Sequence, residues 1–268
     1  MKIHLAAGSD VGTVRKRNED CYLLGEHIGR DPLQSLSIHT EEENFRRRGF
    51  LAAVADGMGG YEGGQFAAEF VLEHLRDSFY HDTRDGADLQ MIARQLVDYL
   101  HAANDALVAE TRRSEQLRYS GTTIVGFVMV EAGLTVFHAG DSRLVRVQDG
   151  HLISITQDHS LMASYMQKEG ASVEEALRMP NARSLTNGMG PLAAFKPAID
   201  IDHGIQKGDR VMLCSDGLYA YGGGVPDEIL REALTTGENL DDLVPNLLQL
   251  ARRHDGGDNA TLILADLA

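Results

Sequence analysis

The sequence contains no tryptophan, two cysteines and six prolines among 268 residues, and no long apolar run. No stretch approaches the roughly 20 apolar residues that a membrane-spanning helix requires. The opening MKIHLAAGSD carries one Lys and a short apolar run, and reads as a strand rather than a signal peptide. Cys21 and Cys214 stand alone in apolar runs, with no CxxC pair, which excludes a zinc-finger pattern. Two separate thiols fit a reducing compartment, and the cytoplasm is expected. Basic residues are also scarce. The 25 Lys and Arg face 40 Asp and Glu, for a formal charge of −15, which argues against nucleic-acid or anionic-membrane partners. The one basic cluster, Arg46-Arg47-Arg48, is short enough to be a solvated loop. No repeat, low-complexity tract or Pro/Ser-rich linker divides the chain, so a single domain over 1–268 is expected.

What is present is an alternation of strand and helix signals. Short apolar runs at 3–9, 20–26 and 50–56 read as strands, while the polar stretch 27–48 reads as a loop insertion. Phe66, Phe70, Val71, Leu75 and Phe79 recur at helical spacing and predict a helix over 63–80. Leu89, Ile92, Leu96, Leu100 and Leu107 predict another over 88–112. Four strand-like runs follow between 122 and 157 with short Gly-bearing turns, which favours antiparallel pairing. Strands return at 198–203 and 209–215, two helices at 227–235 and 240–253, and a last strand at 260–267. This order departs from strict βα alternation and predicts an α+β fold of two packed antiparallel sheets covered by helices.

Aspartates mark the strand ends. FLAAVA ends in Asp56-Gly57, VFHAG in Asp141-Ser142, and VMLCS in Asp216-Gly217. Gly256-Gly257-Asp258-Asn259 leads into the last strand, and Glu19-Asp20 opens the second. Each motif alone could be a turn. The first, VADGMGG (54–60), admits three readings: a hairpin turn, a metal ligand at a strand tip, or a glycine cradle for phosphate. Gly59 and Gly60 would let the chain turn tightly into the 63–80 helix. Carboxylates gathered at one rim would repel one another, and divalent cations relieve that repulsion. An all-oxygen donor set favours Mg²⁺ or Mn²⁺.

Taken in order, SDVGTVRKRNED (9–20), VADGMGG (54–60), SGTT (120–123), AGDSR (139–143), QDHS (157–160), LCSDGL (213–218) and GGDNAT (256–261) resemble the motifs of bacterial PP2C-type (PPM family) metal-dependent Ser/Thr protein phosphatases. The resemblance spans nearly the whole chain. It implies a four-layer αββα sandwich and hydrolysis of phosphomonoesters by a metal-activated water at a binuclear Mn²⁺/Mg²⁺ centre. Asp56 would bridge two Mn²⁺ or Mg²⁺ ions, with the Gly57 carbonyl on one of them and Asp216 and Asp258 on the other. Glu19 and Asp20 match the supporting acidic pair. Asp141 matches the ligand of a weaker third metal shared with Asp216, and Arg15 the arginine that grips the phosphate. Ser142 and Arg143 would brace the Asp141 turn. Asp158, His159 and Ser160 could order a loop near the site, and Asn259 is a further supporting residue. Thr122 and Thr123 are expected to be structural. The implied partners are phosphorylated Ser/Thr proteins and a cognate Ser/Thr kinase, with the enzyme a monomer.

The chain departs from the pattern in places. Met58 stands where many relatives have the histidine assigned as general acid, leaving that role to a metal-bound water or to a histidine such as His159. Residues 164–196 fall where bacterial members carry a flap, and Asn187 replaces a common Arg, so a phosphate-proximal cation is expected to be lost. YAYGGG (219–224) reads as a flexible glycine run. Two rival readings are a metal-binding regulatory module on the same fold, and a nucleotide site at the Gly-rich stretch. The retained acidic set opposes the first. Glu62, which falls where a GxGxxG motif would place its third glycine, opposes the second.

Overall fold

The computed structural model describes residues 1–59, 62–82, 88–191 and 195–268. Along the chain run β1 (Lys2–Asp10), β2 (Cys21–Leu24), β3 (His27–Gly29), β4 (Gln34–His39) and α1 (Glu43–Arg48). Next come β5 (Phe50–Ala55), the two-residue β6 (Gly57–Met58), α2 (Gly63–His81) and α3 (Leu89–Arg113). A 3₁₀ turn at Glu115–Leu117 leads into β7 (Gly121–Thr122), β8 (Ile124–Val130), β9 (Gly133–Ala139), β10 (Arg143–Gln148) and β11 (His151–Ser154). Two short helices, α4 (Leu161–Glu169) and α5 (Val173–Leu177), precede β12 (Ala198–Asp202) and β13 (Arg210–Cys214). The chain closes with β14 (Tyr219–Ala220), β15 (Gly223–Gly224), α6 (Asp227–Thr235), α7 (Leu240–His254) and β16 (Ala260–Leu267).

Two six-stranded antiparallel sheets form the centre, in the orders β11-β10-β13-β16-β1-β4 and β12-β9-β8-β5-β2-β3. The period of two along each strand sorts the side chains between layers. On β5, Leu51, Ala53 and Ala55 pack on α2 and α3, while Phe50, Ala52 and Val54 face the other sheet. On β16, Leu262 and Leu264 pack on α7, while Ile263 and Ala265 fill the space between the sheets. Strands buried on both faces read as continuous apolar runs, which is why the sequence shows them so clearly. The result is the expected four-layer αββα arrangement.

The stretch 27–48 is not a loop. It builds the edge strands β3 and β4 and the helix α1, with β4 paired to β1 from Lys2↔His39 to Ala7↔Gln34. Edge strands bury one face at most, so QSLSIH carries too few apolar residues to announce itself. YAYGGG likewise forms a β14–β15 hairpin, with Tyr219 opposite Gly224. The α4–α5 unit has its own small apolar cluster of Met162, Ala176 and Ala182. Serines cap both of its helices, and Ser172 with Glu175 forms a reciprocal capping box.

Candidate active site

Antiparallel pairing puts the C-terminal ends of some strands beside the N-terminal ends of others. Cys21 pairs with Ala55, Val54 with Val125, and Ile124 with Ala139, so Asp20, Asp56 and Asp141 leave one sheet at the same edge. In the other sheet Cys214 pairs with Leu262, which brings Asp216 beside the segment entering β16. A cleft of about 550 Å³ opens at this end of the sandwich. Glu19, Asp56, Asp141, Asp216 and Asp258 line it, together with Arg15, Gly57, Met58 and Asn259. Asp20 lies beneath, fully buried.

Distant residues hold these groups in place. Thr122 donates its hydroxyl to the Asp56 carbonyl at 2.9 Å, and the Thr123 N–H donates to the same oxygen at 2.9 Å. The Asp56 N–H donates to Thr123 Oγ1 at 3.2 Å, and Thr123 Oγ1 meets Ser142 Oγ at 2.7 Å. The two threonines act on the backbone of Asp56, and Thr123 also lines the cleft. Ser215 donates to Asp20 Oδ2 at 2.7 Å. Asn259 ties its own segment to the β1–β2 connection at three points: its Oδ1 accepts from the Glu19 N–H at 2.8 Å, and its Nδ2 donates to the Val11 and Arg17 carbonyls at 2.9 and 3.0 Å. A Cβ on Gly57 would collide with the Gly64 carbonyl and lie 2.7 Å from the Glu19 carbonyl, so only glycine fits between β6 and the first turn of α2. Gly59 turns with φ 128°, and Gly60 lies outside the described residues.

The electrostatics follow from this crowding. Burial, and then the neighbouring aspartates, push Asp56 well above the ordinary carboxylate range. The same causes raise Asp216, and lift Asp20 and Asp141 to about 7. Burial also raises Glu19. Arg15 donates to Asp258 at 2.7 Å, which raises the guanidinium's own pKa. Asp216 Oδ1 is buried with no hydrogen-bond partner. Among the described residues no three acidic, His or Cys side chains converge on one ion-holding point in their present rotamers; the carboxylates ring the cleft. An all-oxygen set with an orphaned buried oxygen and unrelieved acid repulsion fits hard divalent cations.

Other expectations change. Arg143 does not brace the Asp141 turn directly: it forms a buried two-point pair with Asp158 at 2.9 and 2.8 Å and lies 4.0 Å from the Tyr221 ring centroid. Ser142 does brace it, through Thr123. His159 is turned away from the cleft, into a separate cavity of about 430 Å³, and stacks on His138 with ring centroids 4.5 Å apart. Its Nδ1 accepts from the Gly140 N–H at 3.2 Å, and burial followed by His138 lowers it to about 4. A ring so held is neutral and is not placed to protonate a leaving group. Asn187 contacts His159 Nδ1 at 3.2 Å and donates to the Lys196 carbonyl at 2.6 Å, joining that ring to the 187–196 segment. Lys16, Arg17 and Arg183 line the cleft beside Arg15, while Asn187 does not line it. Arg183 was not legible as a site residue. It arrives from the α5–β12 connection and donates to the Gly222 carbonyl at 3.3 Å. The phosphate-cradle reading of the glycines gains no support: Glu62 precedes α2 and pairs with Arg17 at 2.9 Å.

A family description, protein phosphatase 2C, matches residues 42–262. The chain is 31% identical over 265 residues to the serine/threonine protein phosphatase PstP of Mycobacterium tuberculosis, covering 99% of this chain and 45% of that one. It thus spans less than half the length of that relative. It is 26% identical over 267 residues to the serine/threonine phosphatase stp of Listeria monocytogenes, covering 98% and 96% of the two chains. Among solved structures, the S. agalactiae serine/threonine phosphatase superposes with a TM-score of 0.84 at 25% identity, covering 99% of this chain and 100% of that one. The catalytic domain of PstP in complex with two manganese ions superposes with a TM-score of 0.74 at 30% identity, covering 99% of each.

Proposed function

Because the chain belongs to the protein phosphatase 2C family, we propose that its cleft hydrolyses phosphoserine and phosphothreonine esters in proteins, with two Mn²⁺ or Mg²⁺ ions as cofactors. The observation that carries this reading is the gathering of Glu19, Asp56, Asp141, Asp216 and Asp258 from both sheets around one cleft that Arg15 also enters. Asp56 and the Gly57 carbonyl, Asp216 and Asp258 would hold the two cations, with Glu19 and Asp20 supporting them. Asp141 and Asp216 would hold a weaker third. When bound, such cations supply Lewis acidity and an activated water for in-line attack on phosphorus.

The chain's own residues do the rest. The bonds from Thr122 and Thr123 hold the Asp56 backbone so that its carboxylate faces the cleft without reorganisation. Arg15 is half exposed and pairs with Asp258, so with Asp258 engaged as a cation ligand the Arg15 guanidinium would be available to the phosphate oxygens. Lys16, Arg17 and Arg183 add positive charge around the phosphate. Met58 lines the cleft without a proton to give, and His159 is directed elsewhere, so neither side chain protonates the leaving alkoxide. Residues 164–196 would act as a flap beside the site, within a single domain spanning 1–268; residues 192–194 lie outside those described. Among the described residues no helix is long and apolar enough to cross a membrane. A cytoplasmic monomer opposing a cognate Ser/Thr kinase is the setting we infer.

The test is hydrolysis of a phosphothreonine peptide with and without Mn²⁺, by the wild type and by Asp216→Asn. The reading expects Mn²⁺-dependent turnover that falls by more than about 100-fold in the variant. Metal-independent turnover, or full activity in the variant, would overturn it.

A further inference from the structure

A second and larger cavity, of about 810 Å³, lies next to the cleft. Val108 of α3, Tyr119, Pro191 and Phe195 supply its apolar part, and Asp105, Arg112, Glu115 and Arg118 its charged part. Between the two spaces the backbones at Gly59 and Tyr119 pack directly against each other. Gly59 lines the cleft and Tyr119 the cavity, and a Cβ on Gly59 would lie 2.6 Å from the Tyr119 carbonyl oxygen. The far side of the cavity is fixed by the Gly190 N–H, which donates to Asn104 Oδ1 at 2.9 Å.

The exposed apolar surface points to the same place. Among the described residues the two most exposed large hydrophobic side chains are Tyr119 at 74% and Val14 at 72%. Tyr119 stands at the rim of this cavity, and Val14 immediately precedes the cleft residue Arg15. Single exposed apolar residues need no explanation, but an exposed tyrosine over a cavity that adjoins the cleft offers a seat for a side chain. Charge does not compete with that reading. Arg112 and Arg118 are balanced by Asp105 and Glu115, and Glu115 lies 3.6 Å from Arg118.

We propose that this cavity is a docking subsite for the polypeptide that flanks the phosphoresidue, and that it takes an apolar or aromatic side chain of that segment. The proposal rests on the phosphatase reading of the cleft. An extended peptide advances about 3.3 Å per residue, so a side chain a few positions from the phosphoresidue reaches across the Gly59–Tyr119 wall. The subsite lets the enzyme favour a protein segment over a small phosphoester without touching the reacting atoms.

The test uses phosphothreonine peptides of a Ser/Ala background in which a single Leu is walked from five residues before to five after the phosphothreonine. Para-nitrophenyl phosphate, too small to reach the cavity, is measured in parallel. The wild type is expected to show a KM at least about fivefold lower for one or two Leu positions. Tyr119→Ser and, separately, Val108→Ser should abolish that preference with kcat on para-nitrophenyl phosphate unchanged. A wild-type KM independent of the position of Leu, or a preference kept in both variants, overturns the proposal. So does sedimentation showing that Tyr119→Ser breaks a dimer while leaving peptide KM alone. If the wild type with Mn²⁺ does not hydrolyse para-nitrophenyl phosphate, the phosphatase reading itself falls and takes the subsite with it.

Discussion

Thr123 is 67 positions from Asp56 in sequence, yet its hydroxyl accepts from the Asp56 N–H and meets Ser142, the residue after Asp141. One buried side chain thus ties two of the acidic turns together. Nothing in the string SGTT announces this, because a β-branched pair opening a strand is common for packing reasons alone. The same holds for Arg143, whose buried pair with Asp158 fixes the segment after β11. Arg143→Met should cost about 3–5 kcal/mol in urea unfolding, since it leaves Asp158 buried and unpaired. The double variant Arg143→Met/Asp158→Asn should recover part of that loss; equal costs for the single and double variants would contradict the account. His159 gives a pH prediction. Its pKa in the fold is about 4 against 6.5 for an ordinary histidine, so the unfolded chain takes up the proton first. Its contribution is complete above about 6.5 and is lost as pH falls toward 4. His159→Asn keeps an acceptor for the Gly140 N–H but does not titrate. The urea midpoint of the wild type should therefore fall relative to the variant between pH 7 and pH 4.5, and a constant difference would contradict the assignment.

At the scale of elements, the contact between β6 and α2 sets the position of the Gly57 carbonyl. Any Cβ at position 57 meets backbone on two sides, and one at Gly64 would lie 2.8 Å from both the Gly57 carbonyl carbon and Glu19 Oε2. Gly57→Ala should push the helix start away from the Asp56 turn, cost about 1–3 kcal/mol in urea unfolding and reduce Mn²⁺-dependent activity more than stability alone explains. Unchanged activity would show that the close approach is incidental. The elements themselves were largely visible beforehand. Helices α2, α3, α6 and α7 and the doubly buried strands carry dense, periodic apolar signals, and the strand-terminal aspartates mark one rim of the sandwich. The strand β4 was not, because its burial is supplied by its partner β1 rather than by its own composition. Arg183 was hidden for a related reason: its place in the cleft depends on how α4 and α5 fold back, which local pattern does not encode.

For the whole molecule, a net charge of −15 is expected to repel a phosphorylated substrate. Locally Arg15, Lys16, Arg17 and Arg183 line the cleft together with five carboxylates, and cations bound to those carboxylates would leave the cleft positive toward a phosphate. The sandwich places these groups together by having strand ends from two sheets open on one edge. The most direct measurement is calorimetric titration of Mn²⁺ into metal-free protein at fixed ionic strength, comparing the wild type with Asp56→Asn. Removing a buried charge that its neighbours oppose should leave the variant at least as stable as the wild type toward urea, so folding does not confound the comparison. The account predicts two tight sites per chain in the wild type and loss of both in Asp56→Asn. Absence of saturable binding in the wild type, or two unchanged sites in the variant, would contradict it.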